Sequence, residues 1–187
     1  MGRAVHLYAH RDTGRVVETR DILVDAYGRI REIVHRVTEG LDTEELAFRP
    51  DPDANSIGWL LWHLTRVQDD HISEIAGRDQ AWITWAQRFA MEPDPKNTGY
   101  GHTTQDVAAV NPTAEDLRAY HDAVYDRTLS YLETIDADEL ERIIDHGWDP
   151  PVSVGVRLVS VIGDDLQHAG QAAYVRGLYE RLAGSDK

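Results

Sequence analysis

The chain has 187 residues, 42% of them hydrophobic and 28% charged, the size and composition of one globular domain with a single sizeable core. Thirty-three acidic side chains against nineteen basic ones leave a formal charge of -14, which repels nucleic-acid backbones and anionic lipid headgroups and argues against both as partners. Cysteine is absent, so disulfides, thiolate-ligated metals and a protein thiol nucleophile are excluded, and any thiol chemistry must borrow its sulfur from a bound molecule. The N-terminal sequence has no apolar signal core and no run of eighteen apolar residues occurs, so a cytoplasmic location is the default expectation.

Four long periodic segments, separated by polar or Pro/Gly-rich breaks, predict an all-α four-helix bundle with one domain over 1–187 and helices over roughly 18–40, 55–77, 113–135 and 153–182. In the first, Leu23, Ala26, Ile30, Ile33 and Val37 recur at spacings of three and four, the stripe of a helix facing a core. Asn55 or Ser56 caps the second, which carries Ile57, Leu60, Leu61, Leu64, Val67 and Ile75 and stops at Gly77. The stretch from about Arg78 to Asn111 is too long for a passive loop in a compact domain and is expected to be functional or partly structured. Trp82, Trp85 and Phe89 predict one short packed helix there, and residues 93–102 are turn chemistry throughout.

Thr113 with Asp116 three residues on approximates a capping box, and Leu117, Tyr120, Val124, Tyr131, Leu132 and Ile135 fill the inner face of the third helix. The fourth segment alternates like a strand from Val152, but it passes without a breaker into Leu166, Ala169, Ala172, Val175 and Leu178. It is assigned to helix, a lone strand having no partner. Gly163, Gly170 and Gly177 fall seven apart along it; each costs about 1 kcal/mol relative to Ala, which predicts the close approach of a neighbouring helix. The long second connection allows the second and third helices to run parallel, the alternative being simple up-down-up-down order.

Of nine histidines, His6, His10, His102 and His146 fall in the N-terminal tail or in loops and are expected to be solvated. Glu32 and His35 have the Glu-x-x-His spacing of di-iron bundles, but both point well away from the apolar stripe, so an exposed ion pair is expected. Asp164 and His168 stand four apart on the fourth helix and can converge on one ion, and Asp165, three from His168, can do so nearly as well. His63 lies inside the most apolar run of the chain, where an unpaired imidazole is costly to bury, so it wants a partner. His71 also lies near the stripe, but about 12 Å of helix rise separates it from His63, so only one of the two joins the fourth helix. A buried hydrogen-bond network is the alternative to a metal. Gln171, one turn beyond His168, is a candidate to orient a ligand, and Arg66 and Arg176 are candidates to hold an anionic thiol or substrate, with packing and surface salt bridges as their ordinary roles.

Two segments, Ser56-Ile-Gly-Trp-Leu-Leu-Trp-His-Leu and Asp164-Asp-Leu-Gln-His-Ala-Gly-Gln, resemble the two signature segments of the DinB-like superfamily. The chain is similar in particular to actinobacterial DinB-like proteins of unknown function, and more distantly to mycothiol-dependent maleylpyruvate isomerase and the thiol S-transferases of that superfamily. The resemblance implies an up-down-down-up bundle, a divalent metal held by His63, Asp164 and His168, and a homodimer. Relatives commonly have histidine or glutamate at the position of Asp164, which keeps Asp165 as a rival. The expected function is that of a zinc- or nickel-dependent transferase, isomerase or hydrolase using a small thiol such as mycothiol, with iron(II) also compatible with the donors. The alternatives are a non-catalytic or stress-associated dimer in which the metal is a staple, and an empty site.

Overall fold

Apolar residues recurring every three or four positions fold into four long helices in the computed structural model, which describes residues 16–185. They are α1 (Thr19–Thr38), α3 (Ile57–Ile75), α6 (Ala114–Leu132) and α8 (Val154–Ser185). Shorter pieces fill the connections: α2 (Thr43–Leu46), α4 (Trp82–Trp85) continued by a 3-10 turn over Ala86–Phe89, α5 (Thr104–Ala109), α7 (Ala137–Glu141), and strands β1 (Ile143–Asp145) and β2 (Val152–Ser153). Ser56, rather than Asn55, caps α3 by accepting from the Trp59 amide, and Thr113 caps α6 by accepting from that of Asp116.

Hydrogen bonds between helices fix their directions. Thr38 meets Arg118 while Arg31 meets Asp122, so α1 and α6 are antiparallel. His71 and Glu74 near the end of α3 meet Arg157 near the start of α8, so these two are antiparallel as well. Tyr27 and Val37 meet Leu158 and Arg176 in that order, making α1 and α8 parallel; Thr65 and Gln68 meet His121 and Thr128, making α3 and α6 parallel. The order is therefore up-down-down-up. Residues 76–113 return along the bundle, as parallel α3 and α6 require. The core between the helices holds Tyr27, Ile30 and Val34 of α1, Leu61 and Leu64 of α3, Leu117 and Val124 of α6, and Leu158, Val161 and Ala169 of α8. Each large aliphatic side chain buried there stabilises the fold by about 1.5–3 kcal/mol.

Three expectations are corrected. The strand-like start of the fourth segment is a strand over Val152–Ser153, because Ile143–Asp145 supplies the antiparallel partner; the helix begins at Val154. Gly163, Gly170 and Gly177 make no room for a neighbouring helix: a Cβ at either of the first two would meet nothing within 4 Å, and one at the third only the Arg181 guanidinium. The close approach on α8 is instead at Gly155, where a Cβ would lie 3.3 Å from the Leu140 carbonyl oxygen. His35 does not pair with Glu32. Its Nε2 and the Arg31 Nε converge on Asp122 of α6, at 2.8 and 2.7 Å, a seam between helices rather than an isolated surface pair.

A polar layer crosses the core. The Thr65 hydroxyl donates to the Leu61 carbonyl, so the His121 contact at 3.1 Å has Nδ1–H as donor, and the buried Nε2 has no partner among the described residues. Burial pushes this imidazole from 6.5 down to about 3. The unfolded chain therefore takes a proton below pH 6.5 that the folded chain refuses, and the stability present above that pH is lost as pH falls toward 3. In urea unfolding, His121 is expected to contribute a loss of stability on the order of 1 kcal/mol per pH unit in that window. The variant His121→Gln should lose correspondingly less on acidification than wild type; equal losses would refute the assignment.

Candidate metal centre

Antiparallel packing of α3 against α8 sets His63 opposite the turn of α8 that carries Asp164 and His168. One ligand atom from each of the three lies within 4.8 Å of the others. The two imidazoles meet edge to face with centroids 4.7 Å apart, and His168 Nε2 lies 3.7 Å from Asp164 Oδ1, beyond hydrogen-bonding distance. Asp164 Oδ2 is buried and has no hydrogen-bond partner among the described residues. A buried carboxylate oxygen is costly to leave unpaired, and a cation at this corner would satisfy it.

Both imidazoles are oriented through their far nitrogens. His63 Nδ1 is 2.5 Å from the Thr98 carbonyl oxygen and His168 Nδ1 is 3.0 Å from Gln171 Oε1, so each donates Nδ1–H outward and keeps the Nε2 lone pair for the shared centre. That is the usual outer-shell arrangement for metal-ligating histidine. The His63 ring is buried and stacks on Trp59 at 4.7 Å. Burial holds its pKa below the ordinary value, and the neighbouring His168 and His102 add to this against the Thr98 carbonyl and Asp164. The neutral, ligating form is therefore the one favoured. Two imidazoles and a carboxylate on a pair of helices suit zinc, nickel or iron(II).

The remaining candidates divide. Asp165 turns into the core, fully buried, with burial first and then the charge of Asp164 raising its carboxyl pKa; it is Asp164 that stands with the histidines. His71 lies further along the same seam, its Nδ1 accepting from Arg157 at 2.8 Å. Gln171 holds His168. Arg66 is not at the surface: it is fully buried, donating to the carbonyls of Asn97 and Pro95, to Gln80 and to Tyr120, beside Asp69. Its donors face the protein, not a ligand. Arg176 donates to the carbonyls of Arg36 and Val37, closing the last turn of α1.

His102, expected to be solvated, stacks on Trp62 at 5.6 Å, accepts from Trp59 Nε1 at Nδ1 and donates from Nε2 to Asn97. His146 is exposed, and His6 and His10 lie outside the described residues. Sequence reasoning missed Thr98 and Gly99, whose contribution is backbone; the length of the crossover was the available signal. In metal-free protein, with the imidazoles neutral, long-range proton–nitrogen spectra should show Nδ1–H tautomers at His63 and His168 and Nε2–H tautomers at His71 and His102. An Nε2–H tautomer at His63 would show that its lone pair does not face the centre.

No curated protein matches the chain. Among solved structures it is similar to a conserved protein from Enterococcus faecalis, with a TM-score of 0.81 and 31% identity, covering 88% of this chain and 98% of that one. The model of the mycothiol-S-transferase family matches residues 22–181, which span α1 to α8 and include His63, Asp164 and His168. The chain belongs to the mycothiol-S-transferase family, within the DinB/YfiT-like superfamily.

Proposed function

We propose that this protein is a divalent-metal-dependent transferase that joins a small thiol of the mycothiol type to an electrophilic carbon, with His63, Asp164 and His168 as the metal ligands. The observation that carries the reading is the convergence of two outward-anchored imidazoles on a carboxylate whose buried oxygen has no other described partner. Family membership supports the thiol, and the absence of cysteine agrees with a sulfur brought in by the substrate.

A bound zinc or nickel ion would supply a Lewis acid that lowers the pKa of a thiol beside it. The chain's own residues set the charge and access of that position. Two neutral imidazoles and one carboxylate carry a single negative charge, so a divalent ion among them keeps one net positive charge, which favours an anionic sulfur. Trp59 covers one face of His63 and shields it from water. In the overall reaction a sulfur–carbon bond forms, the leaving group departs with its bonding pair, and the thiol proton is released to solvent.

Protein purified without a polyhistidine tag is expected to carry about one equivalent of metal by elemental analysis, and Asp164→Ala less than roughly a tenth, from the loss of one of three ligands. Wild type should consume mycothiol in the presence of an alkylating electrophile, and Asp164→Ala should lose at least about 100-fold of that rate, the upper end for disturbing a metal shell. Wild type that binds no metal after incubation with zinc or nickel would overturn the reading. Metal that raises the melting temperature without any thiol turnover would make the ion a staple between α3 and α8 instead.

A further inference from the structure

We infer that residues 95–102 form a strap that positions His63, and that Gly99 is the positioning residue that lets the strap lie there; the inference rests on the metal reading above. α3 presents Trp59, Trp62, His63 and Arg66 on one face, spaced as helix neighbours. The strap lies across that face and turns three carbonyl acceptors onto it. The Pro95 and Asn97 carbonyls each accept from the buried Arg66 guanidinium at 3.0 Å, and the Thr98 carbonyl accepts from His63 Nδ1 at 2.5 Å. His102 pins the far end: its ring stacks on Trp62, and it bonds Trp59 Nε1 at 3.1 Å and Asn97 Oδ1 at 2.8 Å.

Two independent constraints make position 99 a glycine. Its φ is +97°, a conformation that L side chains rarely adopt. A Cβ there would also lie 2.9 Å from His63 Nδ1 and 2.9 Å from Trp62 Cζ3, closer than real Cβ contacts come, and 3.0 Å from Trp59 Cζ2, tighter than nearly all of them. The backbone therefore lies flat on three rings, and one methyl group would push the Thr98 carbonyl off the imidazole. Arg66 belongs to this device as the clamp of the strap, which accounts for a fully buried guanidinium one turn from the metal ligand.

The test compares wild type, Gly99→Ala and His102→Phe as full chains, the last keeping a ring on Trp62 while losing both hydrogen bonds. Zinc affinity is measured by competition with a chromophoric chelator, cobalt(II) absorption reports coordination, and circular dichroism of the metal-free proteins reports folding. Gly99→Ala is expected to remain helical and to bind zinc about 10- to 100-fold more weakly, the loss typical of an outer-shell partner, with a changed cobalt spectrum; His102→Phe should weaken binding in the same direction. Should Gly99→Ala fail to fold, His102→Phe decides. Wild type that binds metal while every folded variant binds within twofold of it overturns the strap. Wild type that binds none overturns the metal reading; the strap then depends on the His63 tautomer, and an Nδ1–H tautomer unchanged in Gly99→Ala overturns it.

Discussion

The register of α3 against α8 is the constraint on which the candidate centre depends. His63 sits on one helix and its two partners on the other, so a slip of one helical turn, about 5.4 Å, would place His63 out of reach of Asp164 and His168. The register is held directly on one side of the centre, and α8 is fixed to its other neighbours at both ends. Toward the start of α8, Arg157 bonds His71 and Glu74 of α3. The same end is tied by the β1–β2 pairing, by the Val154 amide on the Arg142 carbonyl, and by Gly155 packed on the Leu140 backbone. Toward its end, Arg176 grips the final carbonyls of α1. Apolar packing supplies most of the free energy and its interdigitation resists sliding; these directional contacts discriminate further between registers.

A second device organises the crossover from the same helix. Asp69, one turn beyond Arg66, is fully buried and accepts from the amides of Ala81 and Trp82 and from the Tyr120 hydroxyl, at 2.9, 2.8 and 2.8 Å. Arg66 holds the carbonyls of Asn97 and Pro95. Acid and base thus anchor the two ends of one stretch, the acid binding amides where α4 begins and the base binding carbonyls where the strap begins. A buried ion pair recovers its desolvation cost only when the remaining donors and acceptors are also satisfied, and these backbone groups do that. The pair is accordingly better understood as specifying the path of the crossover than as adding net stability. Through that path α3 both supplies the candidate ligand His63 and holds the strap whose Thr98 carbonyl orients it.

The sequence is most legible where one helix can be read by itself. Periodicity located α1, α3, α6 and α8 because each buries a stripe, and Thr113 announced its own cap. The buried imidazole of His63 pointed across to α8 for the same reason, since an isolated polar group in an apolar run needs a partner. Asp164 and Asp165 were not separable this way: on a helical wheel His168 falls between them, and only the packing of Asp165 toward Tyr27 and the core decides. Arg66, His102 and Thr98 were illegible because their roles come from a loop folding back over 30 residues or more. The Thr98 contribution is a carbonyl, which every residue has. The strand at Val152 was misjudged for a related reason, its partner lying in a stretch with no periodic signal.

Charge sharpens what the site can select. The chain carries -14 overall, so its mean field repels anions. The arginine nearest the centre in sequence, Arg66, is sunk beneath the strap and balanced by Asp69, while Arg176 is committed to Glu180 and to the end of α1. Neither offsets that field where a thiolate would bind. On the proposed reading the positive charge that attracts an anionic sulfur is therefore the metal's own, reduced but not cancelled by Asp164. A lone aspartate is then the most negative charge the ligand set can carry before the centre becomes neutral: a second carboxylate at the place of either imidazole would remove the net charge and with it the preference for thiolate over thiol. On that reading the two histidines matter for bringing no negative charge as much as for being ligands; burial favours the neutral form of His63, and the outward Nδ1–H bonds to Thr98 and Gln171 aim the rings.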